Sequence, residues 1–309
     1  MQTATVQHLA VQRSLNLTDY ETEYEPEYGI LWGFYNPQTG PNVTLKLLED
    51  VHKHDRLFES NGGRVFYEGE HRPVNYYVAG SRLKGVYNLG GDLSYFMQCI
   101  ERRDRDALMS YATLGIDNLY PRTQNYFIPN LITISLVQGD ALGGGFEGVL
   151  ANNVIIAEEQ AKMGLPEILF NLFPGMGAYS LLARRVGPRL AEEMMLSGNL
   201  YPATKLHAMG LVDIVVPQGQ GEMAVYDYVN KVHKRRNGVM ATYRARQAVF
   251  PITREELMKI TTIWVDAALR LEEKDLRVMT RIVRSQGRLK QSAAVATPAA
   301  VEMQAAMAR

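Results

Sequence analysis

Two glutamates, Glu147 and Glu167, lie twenty residues apart, each in the opening turn of an expected helix. Glu147 sits inside "ALGGGFEGVL", where Gly143, Gly145 and Gly148 repeat the G-x-G-x-x-G spacing of a dinucleotide-binding turn. In such a turn the glycines let backbone N–H groups and a helix N-terminus face a pyrophosphate. A fixed carboxylate there opposes an anionic ligand. The same geometry suits N–H donors that stabilise a developing oxyanion while the acid moves a proton. Two carboxyls that converge on one cleft serve as a general acid and a general base when burial separates their pKa values. Taken singly, a glutamate in a first helical turn is most simply a cap.

The elements around them argue against a dinucleotide site. Such a site needs the glycines directly after a first strand and an acid about 20 residues on, at the end of the next strand. Here "QGDAL" intervenes between the apolar run "LITISLV" and the glycines. The next apolar run, "NVIIA", ends at Glu158 and Glu159, too early, and Glu167 follows a Gly and a Pro in "GLPEIL". Pro166 fits the first position of a helical turn, which places Glu167 inside it.

Strand-like runs alternate with helical ones from "YGILWGFYN" to "LVDIVVP", implying an α/β architecture. The run 43–60 has a helical period and stops at "NGG"; 92–120 reads as helical throughout; "PATKLHAMG" is a short helix with Pro at its start and Gly at its end. After about residue 219 the strands cease. Thr253 and Glu256 form a capping box, and Leu257, Ile260, Trp264, Ala268 and Leu271 share one face, as in a packing or oligomer helix. The chain therefore divides into a leader (1–28), a core (29–218), and a helical region with a loosely held Ala-rich tail (219–309). Tyrosines alternate with acids over 18–28, which suits an edge segment or, more simply, a solvated lead-in.

Bulk composition narrows the function classes. Among 309 residues, Lys+Arg and Asp+Glu balance at 33 each, so no global field favours nucleic acid or an acidic membrane. The single cysteine, Cys99, rules out an internal disulfide or a cysteine-cluster metal site and reads as a small core hydrophobe. No run approaches the ~20 apolar residues of a membrane span, and the N-terminus lacks a secretory pattern. A protein of the cytoplasm is expected, without metal or cofactor.

Five motifs occur in order: "YNLGGDL" (87–93), "VQGDALGGGFEG" (137–148), "MGLPEI" (163–168), "FPGMGA" (173–178) and "SGNLYPATKLHAMGLVDIVVP" (197–217). In this the chain resembles the crotonase (enoyl-CoA hydratase/isomerase) superfamily over roughly residues 29–218. The resemblance implies a crotonase-like ββα spiral core with a C-terminal α-helical region, usually assembled as a trimer or a dimer of trimers. It implies an oxyanion hole from the backbone N–H groups of Leu89 and Gly144, each such donor being worth ~3–4 kcal/mol of barrier. It implies catalytic roles for Glu147 and Glu167, both of which the hydratases use, so that water can be added or removed across Cα–Cβ.

Tyr87, Asn88 and Leu89 stand where typical members carry small residues. With the acidic leader, "VFYEGEHRPVNYYVAGSRLKG" and "LPEILFNLFPGMGAYSLLARRVG", the chain is similar to the diffusible signal factor synthases, a quorum-sensing branch of the superfamily. That branch dehydrates a 3-hydroxyacyl thioester of acyl carrier protein and hydrolyses the product to a free cis-2-unsaturated fatty acid, with cis-2-dodecenoic acid the expected signal. It also docks on the receiver domain of a sensor histidine kinase. Leu142, Phe170, Leu172, Phe173 and Met176 are candidates to line the acyl pocket. Arg184, Arg185, Arg189 and "HKRR" (233–236) are candidates to meet an acidic carrier protein, each also explained as a solvated surface charge. His207 is read as structural.

Overall fold

The computed structural model describes residues 15–286. The backbone winds as a spiral whose successive turns each place one long strand in a large sheet and one short strand in a small one. The large sheet has the order β1 (Tyr20–Glu25), β2 (Ile30–Tyr35), β5 (Tyr76–Ser81), β7 (Ile132–Val137), β9 (Val154–Glu158), β12 (Ile214–Val216). All neighbours are parallel except β1 and β2. The small sheet has the order β11 (Leu200–Pro202), β10 (Lys162–Gly164), β8 (Asp140–Leu142), β6 (Val86–Asn88), with β6, β8 and β10 parallel and β11 antiparallel. A separate hairpin joins β3 (Arg64–Tyr67) and β4 (Glu70–Pro73).

Central strands are covered on both faces, as parallel sheets require. All six residues of β7 are buried. Ile132, Ile134 and Leu136 pack outward with Val225 and Val229 of α8 (Gly221–His233), while Val137 packs inward with Phe146 and Ile155. The intervening Thr133 and Ser135 are buried but bonded, Thr133 to Asn153 and Ser135 to Asn152 and the Val149 carbonyl.

Residues 20–25, inside the expected lead-in, form the edge strand β1. The Tyr/Glu alternation is a period of two: Tyr20, Thr22 and Tyr24 are buried, while Glu21 and Glu23 turn outward and share Arg82. The helical run 92–120 is two helices, α2 (Leu93–Glu101) and α3 (Arg105–Thr123), because the chain turns through Arg103 at φ 52°. Thr44 caps α1 (Leu45–Ser60) and Thr253 caps α10 (Arg254–Ala268), the latter as its capping box predicts. The stripe that begins there breaks after Ala268 and resumes as α11 (273–286). The remaining helices are α4 (Gly144–Leu150), α5 (Ala178–Val186), α6 (Pro188–Ser197), α7 (Ala203–Ala208) and α9 (Arg236–Val249). Among the described residues no helix is long and apolar enough to cross a membrane.

Candidate active site

The three parallel strands of the small sheet end side by side, and each delivers one functional segment from the same end. After β6 comes Leu89–Gly91; after β8 come Gly143 and α4; after β10 come Leu165 and a 3-10 turn, Pro166–Phe170. Strand order puts the start of α4 in the middle. Glu147 and Glu167 thus border one cavity of about 420 Å³, together with Gly144, Gly91, Phe170, Leu172, Met176 and Trp264.

Close backbone approach explains two of the glycines. Gly143 has φ +51°, and a Cβ there would collide with Oε1 of Glu167. A Cβ on Gly145 would run into the carbonyl of Asn88, the last residue of β6. Without side chains at these positions the β6, β8 and β10 loops close on one another.

Glu147 is buried, and its Oε1 accepts hydrogen bonds from the amides of Met176 (2.8 Å) and Ala178 (2.9 Å) at the entry to α5. Burial pushes its carboxyl up to about 7, against the pull of those two amides. Glu167 is half-buried, but its Oε2 is inaccessible to solvent and has no hydrogen-bond partner among the described residues. Burial, followed by the nearby charge of Glu147, raises its pKa to about 8. Two neighbouring carboxyls raised to about 7 and about 8 share one proton at a pH between those values, which is the state an acid–base pair needs.

Gly144 opens α4, so its N–H lacks an acceptor four residues back in the helix and lies at the cavity wall. The Leu89 amide, the other expected oxyanion donor, is committed instead to the carbonyl of Pro41 at 2.7 Å. The reason is a short parallel pairing between 41–43 and 89–91, in which Val43 also donates to the Gly90 carbonyl. Gly91, two residues on, borders the cavity, and a Cβ on Gly144 would stand 3.7 Å from its nitrogen.

Of the apolar candidates, Phe170, Leu172 and Met176 line the cavity. Phe173 packs into the cluster of α2, α3 and α10, and Leu142 is held in β8 against Gly164. Phe96, Tyr111 and Trp264 also line the cavity; the sequence carries no sign of this for Phe96 or Tyr111 and assigns Trp264 to a packing stripe instead. Trp264 belongs to the apolar stripe of α10, which docks on α3 and closes the cavity as a wall. Arg184 is tied to Glu256 and the Pro251 carbonyl, and Arg185 to the carbonyls of Leu150 and Asn152. Arg236 donates to the Asn130 carbonyl, whereas Arg189, His233, Lys234 and Arg235 are exposed. His207 pairs through Nδ1 with the Val212 carbonyl at 2.8 Å, and Cys99 is buried in α2.

Comparison with known proteins places this arrangement. The family profile described as Enoyl-CoA hydratase/isomerase matches residues 83–286. The chain is 33% identical over 159 residues to human enoyl-CoA hydratase domain-containing protein 2, mitochondrial, covering 51% of each. It is 36% identical over 131 residues to 2,3-dehydroadipyl-CoA hydratase of Escherichia coli, covering 42% of this chain and 49% of that one. The chain thus spans about half the length of these curated relatives. The fold is that of an enoyl-CoA hydratase from Bacillus halodurans, with a TM-score of 0.69 at 17% identity over 86% of this chain and 100% of the other. Spiral sheet, paired carboxyls and a profile that matches more than half of the sequence agree, and the chain belongs to the enoyl-CoA hydratase/isomerase family.

Proposed function

We propose that the protein removes water from a 3-hydroxyacyl thioester carried on acyl carrier protein and then hydrolyses the enoyl thioester. It thereby releases a cis-2-unsaturated fatty acid of the diffusible signal factor type. The reading rests on one observation above all: Glu147 and Glu167 line one cavity together with Gly144. In the first step one carboxylate takes the proton from Cα while the other, protonated, delivers its proton to the departing 3-hydroxyl. The Cα–H and Cβ–O bonds break, the Cα=Cβ bond forms and water leaves. One proton remains on the pair, ready for the next event. A carboxylate then deprotonates a water that attacks the thioester carbonyl, and the thiol departs with a proton. The Gly144 amide stabilises the oxygen that gains charge in both steps. The test is incubation with 3-hydroxyacyl carrier proteins of graded length, with products identified by mass spectrometry and NMR. Free 2-enoic acid with a cis double bond is expected. Reversible formation of a trans enoyl thioester with no free acid overturns the proposal.

A second reading is conventional hydration of 2-enoyl-CoA. It is favoured by the family profile and by relatives that are named hydratases. The same panel presented as coenzyme A thioesters separates the two, because a hydratase interconverts the 3-hydroxyacyl and 2-enoyl esters of the coenzyme A series and releases no free acid. Docking of a receiver domain, and assembly as a trimer or a dimer of trimers, belong to the same proposal and are compatible with catalysis. Alanine at Glu147 or Glu167 is expected to abolish product and spare such docking.

A further inference from the structure

Behind the carboxyl cavity lies a second one, of about 560 Å³, between α1, α3 and α4. Its hydrocarbon wall comes from Val43, Leu47, Leu48, Val51 and Leu119. Polar groups share that wall: Arg122 Nη2 and Asn88 Nδ2 are buried without a hydrogen-bond partner among the described residues, while the others are engaged elsewhere. Arg122 donates to Tyr126 and Tyr35 and lies 3.7 Å from Asp55, while Asn118 donates to the Leu48 carbonyl. The two cavities have two residues in common, Gly144 and Met176.

Met176 spans the gap between them. A Cβ on Gly115 of α3 would lie 2.7 Å from its Sδ, and a Cβ on Gly144 of α4 would lie 2.5 Å from its Cε. The thioether therefore runs from one helix to the other through space left by two glycines. Its backbone is fixed, because the Met176 amide donates to Glu147. The side chain is unbranched and is not tied by a hydrogen bond among the described residues, so rotation can open the passage without disturbing the carboxyl.

We propose that Met176 is a gate. An acyl chain longer than the carboxyl cavity can hold swings the thioether aside and enters the second cavity, so that Met176 and the lining of that cavity set the range of chain lengths accepted. The proposal rests on the reading of the substrate as an acyl thioester. It assigns the space between α1 and α3 to the distal hydrocarbon and leaves the thioester on the carboxyl side of the gate. Chemistry and length selection are then separated by a single flexible residue.

The test combines a selectivity ratio with a direct view of the gate. Gly148 faces the second cavity, and a Cβ there meets only the Tyr35 hydroxyl, at 3.7 Å. Gly148→Val therefore fills the chamber without touching Glu167. The ratio of kcat/KM for a long straight-chain substrate to that for a four-carbon one is expected to fall about tenfold or more in Gly148→Val and in Met176→Phe, and to rise in Met176→Ala. In parallel, saturated acyl thioesters that cannot react are titrated into protein carrying 13C-methyl methionine, with the Met176 signal assigned from Met176→Leu. Both chain lengths are expected to change the fluorescence of Trp264, recorded in a Trp32→Phe background. Only the longer one is expected to move the Met176 methyl resonance. A long-chain thioester that perturbs Trp264 and leaves Met176 unmoved overturns the gate and spares the parent reading. Thioesters that perturb neither overturn both.

Discussion

The carboxyl of Glu167 occupies the space that a side chain on Gly143 would need. The residue before α4 and the acid after β10 are therefore one fitted unit, although twenty-four positions separate them in sequence. Gly143 also holds φ at +51°, a conformation that L side chains rarely adopt.

Gly143→Ala is expected to lower kcat/KM by at least about a hundredfold and stability by roughly 1–3 kcal/mol. The activity loss exceeds what backbone strain alone would give, since Glu167 must move. Kinetics alongside urea unfolding checks both numbers. Full activity in a weakened protein would remove Glu167 from the reaction.

Glu147→Gln and Glu147→Ala should part company. Glutamine retains a carbonyl oxygen for the amides of Met176 and Ala178, so it folds as the parent does and loses turnover. Alanine leaves the buried Ala178 N–H without an acceptor, at about 1–3 kcal/mol, frees the half-buried Met176 N–H at a smaller cost, and opens a void as well. Thermal unfolding of the two variants side by side distinguishes the roles.

The carboxyl pair, with values raised to about 7 and about 8, predicts a bell-shaped pH profile of kcat/KM. Below the lower limb both groups are protonated and no base remains; above the upper limb both are ionised and no acid remains. The two limbs belong to the pair, not to either residue. A flat profile from about pH 6 to about pH 9 would contradict the assignment.

Stability carries the same signature with the opposite purpose. The raised pKa of Glu167 means that the folded chain retains a proton which the unfolded chain has released by about pH 5. Its contribution is complete below the ordinary carboxylate value and is lost as pH rises through about 8. Glu167→Gln has no such proton to lose. Its melting temperature should gain on that of the parent as pH rises from about 5 to about 9, whereas parallel curves would mean a carboxyl that ionises normally.

The sequence exposes the two glutamates because helix starts have local signatures: a run of glycines before Glu147 and a proline before Glu167. Three parallel strand ends then make them neighbours. Trp264 was concealed by its own regularity, since an apolar stripe on a helix is fully explained by packing and only tertiary docking turns it into a cavity wall. The pairing that engages the Leu89 amide joins backbone to backbone, and side chains carry no record of it. The break between α2 and α3 falls in "ERRDRD", where neither glycine nor proline marks a stop. Strand β1 was ambiguous because tyrosine and glutamate alternate equally well in a sheet edge and in a solvated arm.

The small sheet draws its three parallel strands from three successive turns of the spiral, and α10 arrives about a hundred residues after Glu167 to complete the cavity wall with Trp264. A fragment that stops short of α10 lacks that wall of the cavity. The cavity lining is thus drawn from segments far apart along the chain, and it is complete only when α10 has docked on α3.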